Sequence, residues 1–307
     1  MGSIAFDAVQ TPSGSRERML GGAATHFALA ASFFDRVHVV GPVGEDFGEA
    51  ELEVLRTRGT DVSDVERVPG GRTFFWRGRY HDDLNTRDTL DTQLNVFERF
   101  EPRLSEASRA CEVLFLANIQ PSLQLAVREQ CSEARFVALD SMNLWIQTAR
   151  DQLEEVIASV DCLVLNDEEL RQLTGRPNLL SAAHAVLERG PWIVVAKQGG
   201  YGAAMVTRED FFSLPAYPLR EVVDPTGAGD TFAGGFVGFL AGLPEPRRRE
   251  RRALRNAMAY GTALASFNVE GFGTEGLAGV SGAQVLERVR DLDRFTRLEP
   301  IEVPLHG

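Results

Sequence analysis

Four short apolar runs recur along the chain: Val113–Ala117, Phe136–Leu139, Leu163–Leu165 and Ile193–Ala196. Helix-length stretches of about a dozen residues or more separate them. Strands buried on both faces read as continuous aliphatic runs, and parallel neighbours need a crossover long enough to hold a helix. The repeat therefore predicts an α/β fold with a mostly parallel central sheet covered by helices. The flanking segments fit that layer. Residues 23–34 read as a buried helix, 37–40 as a strand and 49–59 as an amphipathic helix through Leu52 and Leu55. Residues 203–206 and 211–214 form a hairpin, 248–267 carry a helical period, and Val285, Leu286 and Val289 mark a last short helix.

One stretch breaks the pattern. From Arg72 to Phe100 the sequence turns aromatic and partly alternating, with Thr73–Tyr80 and Asp91–Phe97 as two antiparallel candidates. This predicts a small β excursion at 72–100, serving as a lid or an oligomer contact, within a single domain over residues 1–307. No linker or internal repeat divides the chain. A formal charge of −12 excludes general phosphate-backbone binding, so no nucleic-acid partner is expected. The basic run Arg247–Arg252 reads as the solvated start of a helix. Cys111, Cys131 and Cys162 are widely spaced, which suits a reducing cytoplasm, and the histidines show no metal-binding spacing. No apolar run approaches the ~18 residues of a membrane span.

Residues 222–242 carry the densest chemical signal: a β-branched pair, Asp224-Pro225-Thr226, the turn Gly227-Ala228-Gly229, then Asp230 and three turns of small and apolar residues. A strand end, a glycine turn and a buried helix start can hold an anion on unpaired N–H groups. The same pattern fits a tight turn with a capping acid. A Walker loop is excluded because the chain's one lysine, Lys197, is followed by Gln198. A dinucleotide fingerprint is excluded because Phe232 stands where its third glycine belongs and too little chain follows.

The motif Asp224–Asp230, with Gly234-Gly235-Phe236-Val237 behind it, resembles the C-terminal signature of the ribokinase family, the PfkB-type kinases of sugars and nucleosides. Four further segments resemble the family in order: Gly21–His26, Gly41–Gly48, Asn166–Glu169 and Gly199–Gly202. The resemblance implies a three-layer αβα sandwich with a small β lid. It implies transfer of the ATP γ-phosphoryl group to a hydroxymethyl group of a small sugar. The alternatives are a nucleoside as acceptor, or a ligand-sensing relative that has lost catalysis.

The resemblance also assigns roles. Asp230 becomes the general base, held ionised by the helix dipole, with the Gly227, Ala228 and Gly229 amides as anion hole. Asn166 and Glu169, one turn apart, are suited to magnesium, or to capping a helix. Thr226, Gly199, Gly202, Lys197 and Asn256 fall on the nucleotide side, where Lys197 reads equally as a surface lysine. Asp7 at the end of a first strand, Gly22 and His26 fall on the acceptor side. His26 departs from the family's usual Asn, and fits either a hydroxyl contact or a satisfied helix histidine. Asp140 and Asn143 follow a strand end near the phosphates. A potassium site beside Asp224 occurs in several relatives, and exposed lid strands commonly pair between two copies, which makes a homodimer through the lid an expectation.

Overall fold

The structure, a computed structural model, describes residues 1–298 and 301; the remainder of the predicted 1–307 domain lies outside the described residues. Its first part runs β1 (Ala5–Thr11), β2 (Gly14–Gly21), α1 (Ala23–Ala31), β3 (His38–Val43), α2 (Glu49–Arg56), β4 (Asp61–Arg67), β5 (Phe74–Tyr80) and β6 (Arg87–Gln93). The βα repeats follow as α3 (Glu106–Arg109), β7 (Val113–Leu116), α4 (Pro121–Gln130), β8 (Phe136–Asp140), α5 (Asn143–Thr148), α6 (Arg150–Ala158), β9 (Cys162–Asn166), α7 (Asp167–Thr174), α8 (Leu179–Leu187) and β10 (Ile193–Lys197). The hairpin β11 (Ala203–Val206) and β12 (Phe211–Leu214) precedes α9 (Ala228–Ala241), α10 (Arg251–Asn268), α11 (Glu275–Ala278) and α12 (Gly282–Thr296).

The main sheet has the order β12-β11-β10-β9-β8-β7, with β7 to β10 parallel and the hairpin antiparallel at the edge. Its side chains alternate between two cores. Leu163, Leu165, Val194 and Ala196 face α6, α7 and α8 through Leu153, Leu170 and Val186. Cys162, Val164, Ile193 and Val195 face α9 and α10 through Phe236, Ala257 and Met258. This is the helix-covered parallel sheet that the apolar runs predict and the three-layer sandwich that the family resemblance implies. Close packing of α9 on its neighbours requires glycine: a Cβ on Gly234 would lie 2.4 Å from Phe27 O on α1, and one on Gly235 2.8 Å from Gly261 on α10.

The lid differs from the sequence expectation. It is a four-stranded sheet of order β2-β1-β5-β6, so the amino-terminal hairpin supplies half of it and the lid is not confined to 72–100. The residues after Thr11, polar and without an apolar alternation, form β2, an edge strand whose first five residues are exposed. Asp7 lies inside β1, not at its end. The second lid run ends as a strand at Gln93 and continues as a 3₁₀ turn over Asn95–Arg99. Residues 1–4 belong to the main layer: Ala117 N donates to Met1 O (2.9 Å) and Gly2 N to Val40 O (3.3 Å). The chain thus passes without a break from the main layer into the lid. The basic run is not wholly solvated, since buried Arg248 donates to Leu240 O and Leu243 O.

Candidate active site

Three adjacent parallel strands, β8, β9 and β10, end on Asp140, Asn166 and Lys197. The carboxyl edge of an open α/β sheet is where ligands bind. Lys197 Nζ donates to Asp140 Oδ2 at 2.8 Å, and the pair is largely buried. Burial opposes the lysine's charge, but Asp140, Glu169 and Asp230 outweigh it and raise its pKa, so the ammonium is retained. Asn166 caps α7: its Oδ1 accepts from Glu169 N (2.7 Å), and Glu169 Oε2 accepts from Asn166 N (3.0 Å). Burial raises the Glu169 pKa against the pull of Lys197.

The α9 end meets these strand ends. Gly227 takes φ 73°, a left-handed conformation that precedes the helix. Ala228 N donates to Pro225 O at 3.2 Å, whereas the Gly227 and Gly229 amides have no acceptor among the described residues. A Cβ on Gly229 would stand 3.1 Å from Lys197 Nζ, so the bare glycine makes room for the ammonium. Asp230 opens the helix beside it. The sequence expectation that the helix dipole simply holds Asp230 ionised is incomplete. Burial raises its pKa, with Lys197 and Arg87 opposing.

Asp7 enters from β1 and is buried, and the nearby Gly22 backbone amide favours its charged form. Burial, Asp224 and Asp230 push its pKa up to about 7. Gly21 is obligatory here, because a Cβ would meet Asp7 Oδ2 at 1.9 Å. Asp224 is wholly buried and accepts from Thr226 N (2.9 Å) and Gly273 N (3.1 Å).

His26 lies beneath the glycine turn. A Cβ on Gly227 would lie 2.4 Å from its ring. Asn268 Oδ1 accepts from Thr231 Oγ1 (3.1 Å) and lies 3.0 Å from His26 Nδ1, while Asn268 Nδ2 donates to Thr226 O (2.8 Å). With the amide so oriented, His26 carries its proton on Nδ1, and burial lowers its pKa. The histidine thus sits in a polar network under the turn. No spacing rule marks Asn268; its signal is one amide in a helix end otherwise apolar. The lid contributes Tyr80, whose hydroxyl is 3.4 Å from Thr226 Oγ1, and Asn85, whose Oδ1 accepts from Gly200 N at 3.2 Å.

Other expected residues lie around this centre or apart from it. Gly199 and Gly202 adopt φ 55° and 102°, and the loop's Tyr201 is 81% exposed. Asn256 is half-buried on α10 and donates to Arg252 O. Asn143 is exposed and accepts from Leu144 N. Among the described residues, no cluster of three His, Cys, Asp or Glu could hold a metal ion, and no helix is long and apolar enough to cross a membrane.

A family model described as "pfkB family carbohydrate kinase" matches residues 3–278. The cytidine kinase of Thermococcus kodakarensis is 30% identical over 252 residues, covering 80% of this chain and 88% of that protein. Burkholderia thailandensis nucleoside kinase, solved with inosine, superposes with a TM-score of 0.78 at 18% identity, covering 95% of this chain and 96% of that one. A putative ribokinase II from E. coli, solved with ATP and Mg²⁺, gives 0.76 at 20% identity, covering 96% and 97%. These solved neighbours share the fold.

Proposed function

The chain belongs to the pfkB family of carbohydrate kinases, and from that premise we propose that it moves the γ-phosphoryl group of ATP to a hydroxymethyl group of a small sugar. The observation that carries this reading is the meeting of Asp230, the free Gly227 and Gly229 amides and the Lys197–Asp140 pair at one strand edge. The acceptor hydroxyl lies against Asp230. Its oxygen attacks the γ-phosphorus, its proton passes to the Asp230 carboxylate, and the bond to the ADP oxygen breaks. The glycine-turn amides receive charge from the phosphoryl oxygens, so the chemistry is positioning and charge stabilisation.

Asp7 and the backbone at Gly22 hold acceptor hydroxyls. Lys197 and the Gly199–Gly202 loop hold the nucleotide, with Thr226 and Asn256 at its margins. Glu169 offers a hard carboxylate oxygen of the kind magnesium takes. The Asn166–Glu169 cap, which engages one oxygen of each side chain, supports contact through the ion's waters. Bound magnesium would neutralise phosphate charge. The buried Asp224 carboxylate is the anchor for a potassium ion, and the exposed β2 and β6 edges are the surface for a lid-to-lid homodimer.

A nucleoside acceptor is the second reading. It is favoured by the cytidine kinase relative and by the inosine-bound neighbour. The deciding experiment is an ADP-release screen over pentoses, hexoses, inositols and ribonucleosides. Turnover with one class selects it. Absence of ADP release with every acceptor would leave the catalytically silent, ligand-sensing alternative.

A further inference from the structure

The β5–β6 hairpin crosses the site and touches it twice. Where β5 ends, just before the turn, Tyr80 reaches Thr226 beside the glycine turn. At its tip, Asn85 accepts from Gly200 in the nucleotide-side loop. The tip is stiffened by Asp83, which accepts from the amides of Asn85 and Thr86 and from the Thr86 hydroxyl. Level with Tyr80, at the first position of β6, stands its cross-strand partner Arg87.

The hairpin's arginines divide by face, as a period of two requires. On the outer face Arg77 pairs with Glu17 (3.1 Å) and Arg79 with Asp88 (3.0 Å). Arg87 lies across from Tyr80 with its guanidinium carbon 5.8 Å over the Trp76 ring, and among the described residues it makes no ion pair. Its side chain is exposed, and its charge is felt by Asp230 and Glu169. Lys197, by contrast, is already committed to Asp140. Five carboxylates (Asp7, Asp140, Glu169, Asp224 and Asp230) gather at the centre, so a polyphosphate entering it needs a further cation.

We propose that Arg87 is that cation: a lid-borne clamp that meets the oxygens of the transferring phosphoryl group, with the Asn85–Gly200 contact as its latch. A planar guanidinium can donate to two phosphoryl oxygens at once, which an ammonium cannot do with the same geometry. Charge shifts onto those oxygens as the acceptor O–P bond forms and the bond to the ADP oxygen breaks. The acceptor proton goes to Asp230, and Arg87 exchanges none. A clamp carried on the lid makes closure a condition for chemistry, which guards ATP against water before an acceptor is enclosed.

This rests on the kinase reading, and the test keeps the two apart. Arg87→Gln, Arg87→Lys and Asn85→Ala are compared with the wild-type chain by ADP release and by calorimetry. The calorimetric ligands are ADP alone and ADP with magnesium and aluminium fluoride, a mimic of the transferring phosphoryl group. Arg87→Gln should lower kcat by about 10²–10³-fold, the range for losing one preorganised donor to developing charge, and should abolish the extra affinity for the fluoride complex. Its affinity for ADP alone should change less than about threefold, because the clamp acts beyond the β-phosphate. Arg87→Lys should recover part of kcat, and Asn85→Ala should lower kcat by about 10-fold while keeping ADP affinity. An Arg87→Gln protein with wild-type kcat, or one that still gains affinity with aluminium fluoride, overturns the clamp. A wild-type chain that neither binds ADP nor releases it overturns the kinase reading and the clamp with it.

Discussion

The two halves of the site are built to different standards. The floor, formed by β8, β9 and β10, buries nearly every residue and splits its side chains between two cores. Its functional groups emerge from strand ends that cannot move without breaking that packing. The lid has an edge strand β2 whose first five residues are exposed, and a β6 without a single buried residue. A segment with so few buried contacts opens locally at low cost, whereas the floor opens only with global unfolding. On the proposed reading the contrast teaches a division of labour: the base and the glycine-turn amides are fixed by the floor and α9, while acceptor enclosure and the Arg87 clamp are left to a part that can shift.

The largest effect tests the floor. Asp230→Asn should keep ATP affinity and lose about 10³–10⁴-fold in kcat, the range of a removed general base. Near-wild-type kcat measured by ADP release would sink the base assignment. Gly227→Ala comes next, since the residue stands at φ 73° and the new Cβ would meet the His26 ring. We expect about 2–4 kcal/mol of destabilisation, from left-handed strain plus overpacking, in chemical denaturation. A variant as stable as wild type would show the turn to be more yielding than this packing allows.

Asp7→Asn probes the lid side, and should raise the acceptor KM by about 10²-fold with a smaller change in kcat, because a buried hydrogen-bonding charge is lost. It also carries a pH signature. The folded-state pKa of about 7 lies above the ordinary 3.8, so the unfolded chain gives up this proton first as pH rises. Stability therefore falls between about pH 4 and pH 7 and levels off above, by on the order of a few kcal/mol from this one group. Removing the charge should raise the melting temperature at about pH 8 and leave it little changed at about pH 4. A melting temperature at pH 8 equal to or below that of wild type would contradict the buried, raised carboxyl. The smallest effect is expected of Lys197→Met: about a 10-fold rise in the ATP KM and, from leaving Asp140 unpaired, about 2–3 kcal/mol of lost stability. If its acceptor KM moves instead, the floor-and-lid division is wrong.

The floor was legible because two-sided burial writes continuous apolar runs, and the glycine turn because its conformation admits few residues. The lid was half hidden. Gly14-Ser15-Arg16-Glu17-Arg18 is a strand with neither face buried, so it carries no alternation and reads as a loop. The raised pKa of Asp230 is invisible in sequence, since burial at a helix start depends on what packs over it. Arg87 was obscured among seven arginines between residues 67 and 103, and only strand pairing separates the clamp candidate from its outward-facing neighbours.

The Lys197–Asp140 pair has a practical consequence. Lys197 is the chain's one lysine, so amine-directed acylation of the protein has one side-chain target, and it sits inside the candidate site. An ammonium held protonated by three carboxylates reacts slowly with such reagents. Mass-spectrometric uptake at Lys197 therefore reports on the candidate site, without a label being introduced. The Met1 amine, its pKa lowered to about 6 by burial, is the other amine such a reagent can meet, so peptide mapping is what assigns an inactivating acylation to one or the other.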